Sequence, residues 1–364
     1  MNKLPKNWQE YKLKDLCVIN YGKGLGKSNI VNGNIPVYGS GGIIGFHNTY
    51  NVNSEGVIIG RKGNAGSVFY SDKPFFCIDT AFYIKPDNKY NLKYLFYKLS
   101  YIKLEQYKIS TAVPGINRDT IYSIKVYIPP LDEQKRIASA LSKIDAYLEN
   151  TIKLIEEKER FKRGIAKKLL TCKEGENIPE ARFKGFEDEW ETKTLNSISN
   201  IKKGEQKNKL DLIADGKYPV LNGGMNFSGY CNSYNREANT ITISEGGNAG
   251  YVNFIKEKFW SSGHCYTLHD LKIDKYFLYQ CLKNSEKRLM KLQLGTALKN
   301  IRQSEIVEFE LNIPKSIKEQ EKIGGYLSLL DAEIDNLKKQ KELIKEMKRG
   351  AMQKLLSGEV RLLE

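Results

Sequence analysis

The sequence predicts an α+β protein made of two tandem copies of one unit, each a mixed α/β domain followed by a long coiled-coil-like helix. Three observations predict this fold. The second half repeats the first at a shift of 182 to 186 residues. Each half begins with short apolar runs between Gly and Asn clusters, which is typical of strands. Each half ends in apolar residues spaced alternately by three and four, which is typical of a heptad seam.

The internal repeat sets the domain boundaries that we expect. Gly63-Asn64-Ala65-Gly66 returns as Gly247-Asn248-Ala249-Gly250, and Ile128-Pro129 returns as Ile313-Pro314. The drift in the shift indicates small insertions in a duplicated chain. We therefore expect a first domain over residues 1–130, a central helix over 131–171, a second domain over 172–314 and a C-terminal helix over 315–364.

The elements follow in order along each domain. In the first domain, strands are predicted at Val57-Ile58-Ile59, around Phe76, and from Ile124 to Ile128. Residues 91–104 and 273–290 have spacings closer to those of helices. Mixed α and β structure is the class that these patterns favour.

The long helices carry matching apolar stripes, interrupted by lysines such as Lys162 and Lys348. A lone helix cannot bury such a stripe, so we expect the two helices to pack on each other. The alternative is that each stripe packs on its own globular domain. The predicted helix-pairing residues are Ile137, Leu141, Ile144 and Leu148 in the first helix, and Ile323, Leu327, Leu330 and Ile334 in the second.

Charge points to a polyanionic partner, most often nucleic acid. The 364 residues carry a formal charge of +15. Residues 1–130 hold 17 basic and 8 acidic side chains, whereas residues 172–314 hold 20 and 19. The alternative is the general bias of a lysine-rich proteome.

Residues suited to catalysis or metal binding are scarce. No two of the six cysteines have CxxC spacing, and the three histidines are scattered, so we expect no metal site and thiols that act as small buried hydrophobes. The segment from Gly22 to Ser28 ends like a P-loop, but Tyr21 stands where the motif needs glycine. We therefore expect a protein that is not an enzyme. With no run of ~18 apolar residues and no apolar N-terminal segment, we expect a cytoplasmic protein without membrane contact.

Candidate DNA contacts lie in polar, glycine-rich loops. Arg and Lys suit guanine, Asn and Gln suit adenine, and Glu accepts from cytosine, while neighbouring glycines allow close approach to phosphate. For Asn64 and Asn248 the alternative is a plain hairpin turn. The candidates are Lys23, Lys27, Ser40, Arg61, Lys62, Asn64, Asn117 and Arg118 in the first domain, and Lys203, Asn222, Glu245, Asn248, Lys299 and Arg302 in the second.

The string from Ile128 to Ala138, IPPLDEQKRIA, followed by a helical seam, resembles the specificity subunit of type I restriction–modification systems. A weaker copy runs from Ile313-Pro314 to Glu319-Gln320 and Ile323. The segment from Thr111 to Asn117, TAVPGIN, is similar to the recurrent TxxPGIN segment of that family. Its second copy, from Thr296 to Arg302, lacks the Pro and Gly. The resemblance covers nearly the whole chain.

The resemblance implies a non-catalytic subunit in which two target recognition domains each read half of a bipartite site in double-stranded DNA. Two long antiparallel helices would hold the domains apart with pseudo-two-fold symmetry. Methyltransferase subunits, two in number, and restriction subunits would dock on it. It would bind no cofactor of its own, since S-adenosylmethionine, ATP and Mg would belong to the partner subunits. The alternative is a structural or anti-restriction protein that captures methyltransferase subunits through its helices without reading DNA.

Overall fold

The computed structural model describes residue 5 and residues 7–26, 30–109, 112–295 and 299–362. These form two compact units. Unit 1 comprises Met1–Ile152 with Gln340–Glu364, and unit 2 comprises Lys153–Lys339. Each unit therefore contains one globular domain, part of one long helix and part of the other.

The globular part of unit 1 contains a four-stranded sheet in the order β2-β8-β5-β6, a three-stranded sheet in the order β4-β3-β7, and the pair β1-β9. Its strands are β1 (Gln9–Lys12), β2 (Asn20–Tyr21), β3 (Ile35–Gly39), β4 (Gly42–His47), β5 (Gly56–Gly60), β6 (Val68–Ser71), β7 (Phe76–Cys77), β8 (Ala81–Ile84) and β9 (Lys125–Ile128). Its helices are α1 (Leu13–Leu16), α2 (Leu92–Tyr101) and α3 (Arg118–Ser123), with a 3₁₀ turn at Leu104–Tyr107.

The long helix α4 (Leu131–Leu170) follows, and unit 2 then repeats the topology of unit 1. Its sheets have the orders β11-β17-β14-β15, β13-β12-β16 and β10-β18. The strands are β10 (Glu191–Thr194), β11 (Asn200–Lys203), β12 (Tyr218–Leu221), β13 (Gly229–Cys231), β14 (Thr240–Ser244), β15 (Val252–Ile255), β16 (Trp260–Ser261), β17 (Cys265–His269) and β18 (Glu310–Ile313). The helices are α5 (Leu195–Ile198), α6 (Lys275–Asn284), α7 (Glu286–Lys291), α8 (Gln303–Val307) and the long α9 (Ile317–Ser357), with a 3₁₀ turn at Lys209–Asp211.

The central strands explain the short apolar runs of the sequence. All five residues of β5 are buried, as are all five of β14. Each strand has a hydrogen-bonded neighbour on both sides. A strand whose residues are all buried has no solvent-facing side, and β5 accordingly reads as an apolar run, whereas β14 alternates Thr with Ile and buries its hydroxyls as well. The predicted α+β class with an internal repeat and two long helices is confirmed.

The Glu-Gln pair near the start of each long helix joins that helix to its globular domain. Gln134 Nε2 donates to the carbonyl of Pro129 at 2.9 Å, and its Oε1 accepts from the N–H of Asn91 at 2.8 Å. Asn91 in turn caps α2, since its side chain accepts from the N–H of Tyr94. In unit 2, Gln320 makes the same two bonds to Pro314 and Asp274.

The glutamate of each pair is buried and binds an arginine from beyond the end of the other long helix. In unit 1 the Glu133 carboxylate accepts from Nε of Arg361 at 2.6 Å and from its Nη2 at 2.7 Å. In unit 2 the Glu319 carboxylate accepts two bonds of 2.8 Å from Arg182. Both pairs have the bidentate geometry that makes an arginine–carboxylate bond directional.

The stripes on the long helices pack both on the opposite helix and on the globular domain. In unit 1, Ile137 and Leu141 share one core cluster with Leu355 and Leu356 of α9 and with Trp8. In unit 2, Ile323 and Leu327 share a cluster with Leu169 and Leu170 of α4. Both packing alternatives of the sequence therefore operate together. Of the other predicted pairing residues, Ile334 is buried, and the partly buried ones are Ile144, Leu148 and Leu330.

Among the described residues, no helix is long and apolar enough to cross a membrane.

Candidate nucleic-acid interface

Three loops of unit 1 meet and bring most of the first-domain candidates together. The loop between β5 and β6 binds the segment before α3, since Gly63 N donates to Pro114 O at 2.8 Å and Ile116 N donates to Arg61 O at 3.0 Å. The same loop touches the turn between β3 and β4, where a Cβ on Gly41 would lie 2.9 Å from Asn64 Nδ2. The predicted residues in these loops are Ser40, Arg61, Lys62, Asn64, Asn117 and Arg118.

The repeated Gly-Asn-Ala-Gly string is explained by its backbone. Gly63 and Gly66 have φ of 77° and 89°, and Gly247 and Gly250 have 74° and 85°. These angles lie in the left-handed region that favours glycine. A Cβ on Gly66 would also come within 2.4 Å of the N of Glu105. The hairpin alternative thus accounts for the glycines, while Asn64 and Asn248 have exposed side chains that the turn does not bury.

The first-domain loops carry a group of stacked cations. The guanidinium carbon of Arg61 lies 5.0 Å from the Tyr21 ring centre, and that of Arg118 lies 4.9 Å from the same centre. Arg61 Nη1 donates to the carbonyl of Asp79 at 3.1 Å. Within the described part of the chain, neither arginine has a carboxylate within 4.0 Å, and the buried Nε of Arg118 has no hydrogen-bond partner. The group therefore consists of two guanidiniums over the Tyr21 ring, and no carboxylate of the described residues neutralises their charge.

Lys23 lies beside this group. Its backbone N–H donates to the O of Cys77 at 2.9 Å, at the end of β7 and just before the turn that contains Asp79. Its side chain is exposed and available to a phosphate. Lys27 lies outside the described residues, as do Ser28, Thr111 and residues 296–298 of the repeated TxxPGIN region.

Unit 2 brings its candidates together through equivalent bonds. Ile301 N donates to Glu245 O at 2.8 Å, and Asn248 N donates to Gly223 O at 3.1 Å. Asn222 Oδ1 is buried and has no hydrogen-bond partner. Lys299 and Arg302 are exposed in the segment before α8. The topology therefore gathers the same three loops in both units.

The chemistry of the second-unit loops differs, because Glu245 is already engaged. Its Oε1 accepts from Lys203 Nζ at 2.6 Å and from the Tyr266 hydroxyl at 2.8 Å, while Oε2 lies 3.6 Å from His264 Nδ1. Burial, followed by the bond to Glu245, raises the pKa of Tyr266 far above its ordinary value. The Glu245 side chain is 14% exposed. It is thus a positioned carboxylate rather than a free acceptor.

Sequence reasoning missed the aromatic residues that lie beside the candidate loops in both units. Tyr21 and Phe82 in unit 1 stack edge to face with ring centres 5.0 Å apart. Their repeat equivalents are Lys203 and Tyr266. An alignment of the two halves could have identified Tyr21, because it aligns with Lys203, which is a candidate DNA contact.

The described residues contain no group of three or more His, Cys, Asp or Glu that could hold a metal ion. All six cysteines are free, and five of them are buried. Burial raises the pKa of Cys17 and of Cys77 to about 12, which keeps both as inert thiols.

Both halves of the chain are similar to known proteins. Residues 5–157 and 187–346 match a family model described as the type I restriction modification DNA specificity domain. A putative type I specificity subunit of Mycoplasma pneumoniae is 40% identical over 151 residues, which cover 41% of this chain and 40% of the relative. The MjaVIII specificity subunit of Methanocaldococcus jannaschii is 27% identical over 345 residues, covering 85% of this chain and 80% of the relative.

The chain thus matches less than half of the length of the Mycoplasma pneumoniae relative. Among solved structures, the S subunit of a type I restriction-modification system from M. genitalium matches with a TM-score of 0.76 and 21% identity. That match covers 98% of this chain and 97% of the other, and at this identity it establishes the fold alone.

Proposed function

Since the chain belongs to the family of type I restriction–modification DNA specificity subunits, we propose that it reads a bipartite site in double-stranded DNA, one half with the loops of each unit. The observation that carries this proposal is the pair of guanidiniums on Tyr21, which has no carboxylate partner among the described residues. Uncompensated arginines in a glycine-rich loop suit contacts to phosphates and base edges. The equivalent loop group in unit 2 would read the other half.

We propose that the chain has no catalytic centre and binds no cofactor. S-adenosylmethionine, ATP and Mg would be bound by methyltransferase and restriction subunits, two methyltransferases being expected for two units. This chain would select the DNA sequence, and its partner subunits would carry out the reaction. Because the substrate would be cellular DNA, we place the assembly in the cytoplasm.

Exposed apolar side chains on the long helices support the docking of partner subunits. In unit 1, Leu343 is 64% exposed and lies one helical turn from exposed Met347. In unit 2, exposed Phe161 is the repeat equivalent of Met347. Apolar residues this exposed on a paired helix suit burial against a further helix. We propose these faces as the methyltransferase-binding surfaces.

The proposal is tested by mapping modified bases in the host genome with the gene present, deleted and restored. The expected result is a methylated motif of two short halves around a fixed gap, which disappears on deletion and returns on restoration. An unchanged map would contradict DNA reading. If the chain then still co-purified with a methyltransferase, it would be a protein that captures the methyltransferase without reading DNA.

A further inference from the structure

The guanidiniums of two arginines lie over the ring of Tyr21. Tyr21 is 46% exposed at the end of β2, so the group lies at the surface. Arg61 approaches the ring from the loop between β5 and β6, and Arg118, 57 residues later, approaches it from the start of α3. A guanidinium over a tyrosine ring is attracted by the face of the ring, which restricts the plane of the fork.

Arg118 is the less satisfied of the two. Its Nε is buried without a hydrogen-bond partner, and its side chain has no ion pair among the described residues. No acceptor among the described residues of the domain therefore fixes this guanidinium, which leaves its Nη groups for an incoming acceptor. Arg61, by contrast, donates to the Asp79 carbonyl. The group therefore presents one anchored arginine and one arginine that lacks acceptors.

Unit 2 shows that the scaffold does not depend on these arginines. The repeat places Lys203, Glu245 and Gln303 at the positions of Tyr21, Arg61 and Arg118. Lys203 and Glu245 form an ion pair of 2.6 Å, and Gln303 Nε2 donates to Ile201 O at 3.1 Å. The backbone bond that joins the loops is present in both units, from Ile116 to Arg61 and from Ile301 to Glu245. The arginines are thus an addition to the fold of unit 1.

We propose that Tyr21, Arg61 and Arg118 form a guanine-reading site, in which Arg118 donates to O6 and N7 of a guanine in the major groove. These two acceptors match the fork of an arginine, which is the commonest specific contact to DNA. Tyr21 fixes the plane of the fork, and Arg61 positions the loop and adds positive charge. Unit 2 has no arginine at these positions, and its Lys203 is paired with Glu245, so it does not read a guanine there. This inference rests on the proposed function and assigns one base pair of the site.

The test uses the chain expressed with its methyltransferase subunits, and the readout is the methylated motif. In the Arg118→Gln variant, one half of the motif should no longer require a G·C pair at one position. Discrimination against other base pairs at that position should fall about ten-fold or more, because a good bidentate contact contributes that factor. The other half should be unchanged. Tyr21→Phe keeps the ring and should keep the motif.

The matched control is Arg288→Gln in unit 2. Arg288 also lies over a ring, with its guanidinium carbon 4.8 Å from the centre of Phe309, and like Arg61 it donates to a carbonyl, that of Glu310. It lies on α7, outside the loop group, and its loss should leave the motif unchanged. Co-purification with the methyltransferase checks that each variant folds. If the Arg118→Gln variant fails that check, the Arg118→Lys variant replaces it. The lysine ammonium lacks the two-pronged donor geometry of arginine, so this variant should accept adenine in place of guanine at that position more readily than the wild-type chain does.

Three results would overturn the inference. The motif could stay unchanged in Arg118→Gln, or methylation could fall evenly at all sites, which would mark a phosphate contact, or the relaxed pair could be A·T. Failure of the proposed function is separate, because the wild-type chain itself would then produce no bipartite motif.

Discussion

At the scale of single residues, the Glu-Gln pair at the start of each long helix secures the junction between domain and helix. Gln134 and Gln320 satisfy a proline carbonyl and the N–H of a helix-capping residue. Glu133 and Glu319 are almost wholly buried, which is tolerable because each accepts two bonds from an arginine. The motif that carries the family resemblance is therefore structural.

Lys98 is a second buried charge, and it makes unit 1 sensitive to pH. Its ammonium donates to the carbonyl of Leu356 at 2.7 Å near the end of α9. Burial lowers the pKa of Lys98 to about 8. Because the unfolded chain holds this proton more tightly, the penalty is fully present below pH 8 and is relieved as pH rises towards 10.5, the ordinary lysine value.

We expect the wild-type chain to gain stability relative to Lys98→Met by up to ~3 kcal/mol between pH 8 and pH 10.5, at about 1.4 kcal/mol for each unit of pKa. The measurement is urea unfolding at a series of pH values, followed by tryptophan fluorescence in a background where Trp260 is replaced by Phe, which leaves Trp190 in unit 2 and Trp8, whose ring centre lies 5.4 Å from Lys98 Nζ, as the reporters. Tyrosines with raised pKa values affect both chains alike and cancel in the comparison. Parallel pH profiles for the two chains would contradict the prediction.

The sequence predicted the loops at this scale but not the contacts within them. Residue type pointed to Arg61 and Arg118, because arginine side chains can donate to base edges and to phosphates. It did not pair them, because the ring between them belongs to a strand about 40 residues before Arg61. It also suggested Glu245 as an acceptor for cytosine, and the three groups around that carboxylate could be found only once β11 and β17 were placed side by side.

At the scale of elements, the lysines that interrupt the helical seams are paired across the helices. Lys348 Nζ lies 2.6 Å from Asp145 in unit 1, and Lys162 Nζ lies 2.6 Å from Asp331 in unit 2. A shift of 186 residues relates the two pairs. In each unit the two helices run in opposite directions, and these pairs fix their register, as polar seam positions do in coiled coils. Heptad periodicity predicted the seam but treated the lysines as interruptions.

A double-mutant cycle tests this role in unit 2. Lys162→Met and Asp331→Asn should show a coupling free energy of about 1 kcal/mol, because the Lys162 side chain is only 15% exposed and the pair is poorly screened. Hydrogen exchange of the α9 amides around Asp331 gives the local opening free energy for each variant.

The control cycle uses Lys158 and Glu333, an ion pair of 2.7 Å between the same two helices. Both of its side chains are more exposed, so its coupling should be at most half as large. Equal coupling in the two cycles would show that the buried pair has no special part in setting the register.

At the scale of the whole molecule, duplication preserved topology while charge diverged. The sheet orders of the two units correspond strand for strand, and the same backbone bonds join the loops. Residues 1–130 nevertheless hold 17 basic and 8 acidic side chains, against 20 and 19 in residues 172–314. The internal repeat predicted the shared topology, and the amino-acid composition predicted the difference in charge. Both could be predicted from sequence because neither depends on which side chains contact each other. A duplicated reader with unlike charges is suited to two unlike half-sites.

This difference in charge predicts that the two halves of the DNA site respond differently to salt. Each phosphate neutralised by Lys or Arg adds roughly −0.9 to the slope of log affinity against log salt. The protection of the half bound by unit 1 should therefore fall more steeply with log salt than that of the half bound by unit 2. The measurement is hydroxyl-radical footprinting of the chain assembled with its methyltransferase, over rising NaCl. The half that belongs to unit 1 is identified beforehand by the motif change in Arg118→Gln. Equal slopes in the two halves would mean that the excess charge of residues 1–130 lies away from the DNA, whereas a steeper slope for the half bound by unit 1 would place that charge on the contact surface.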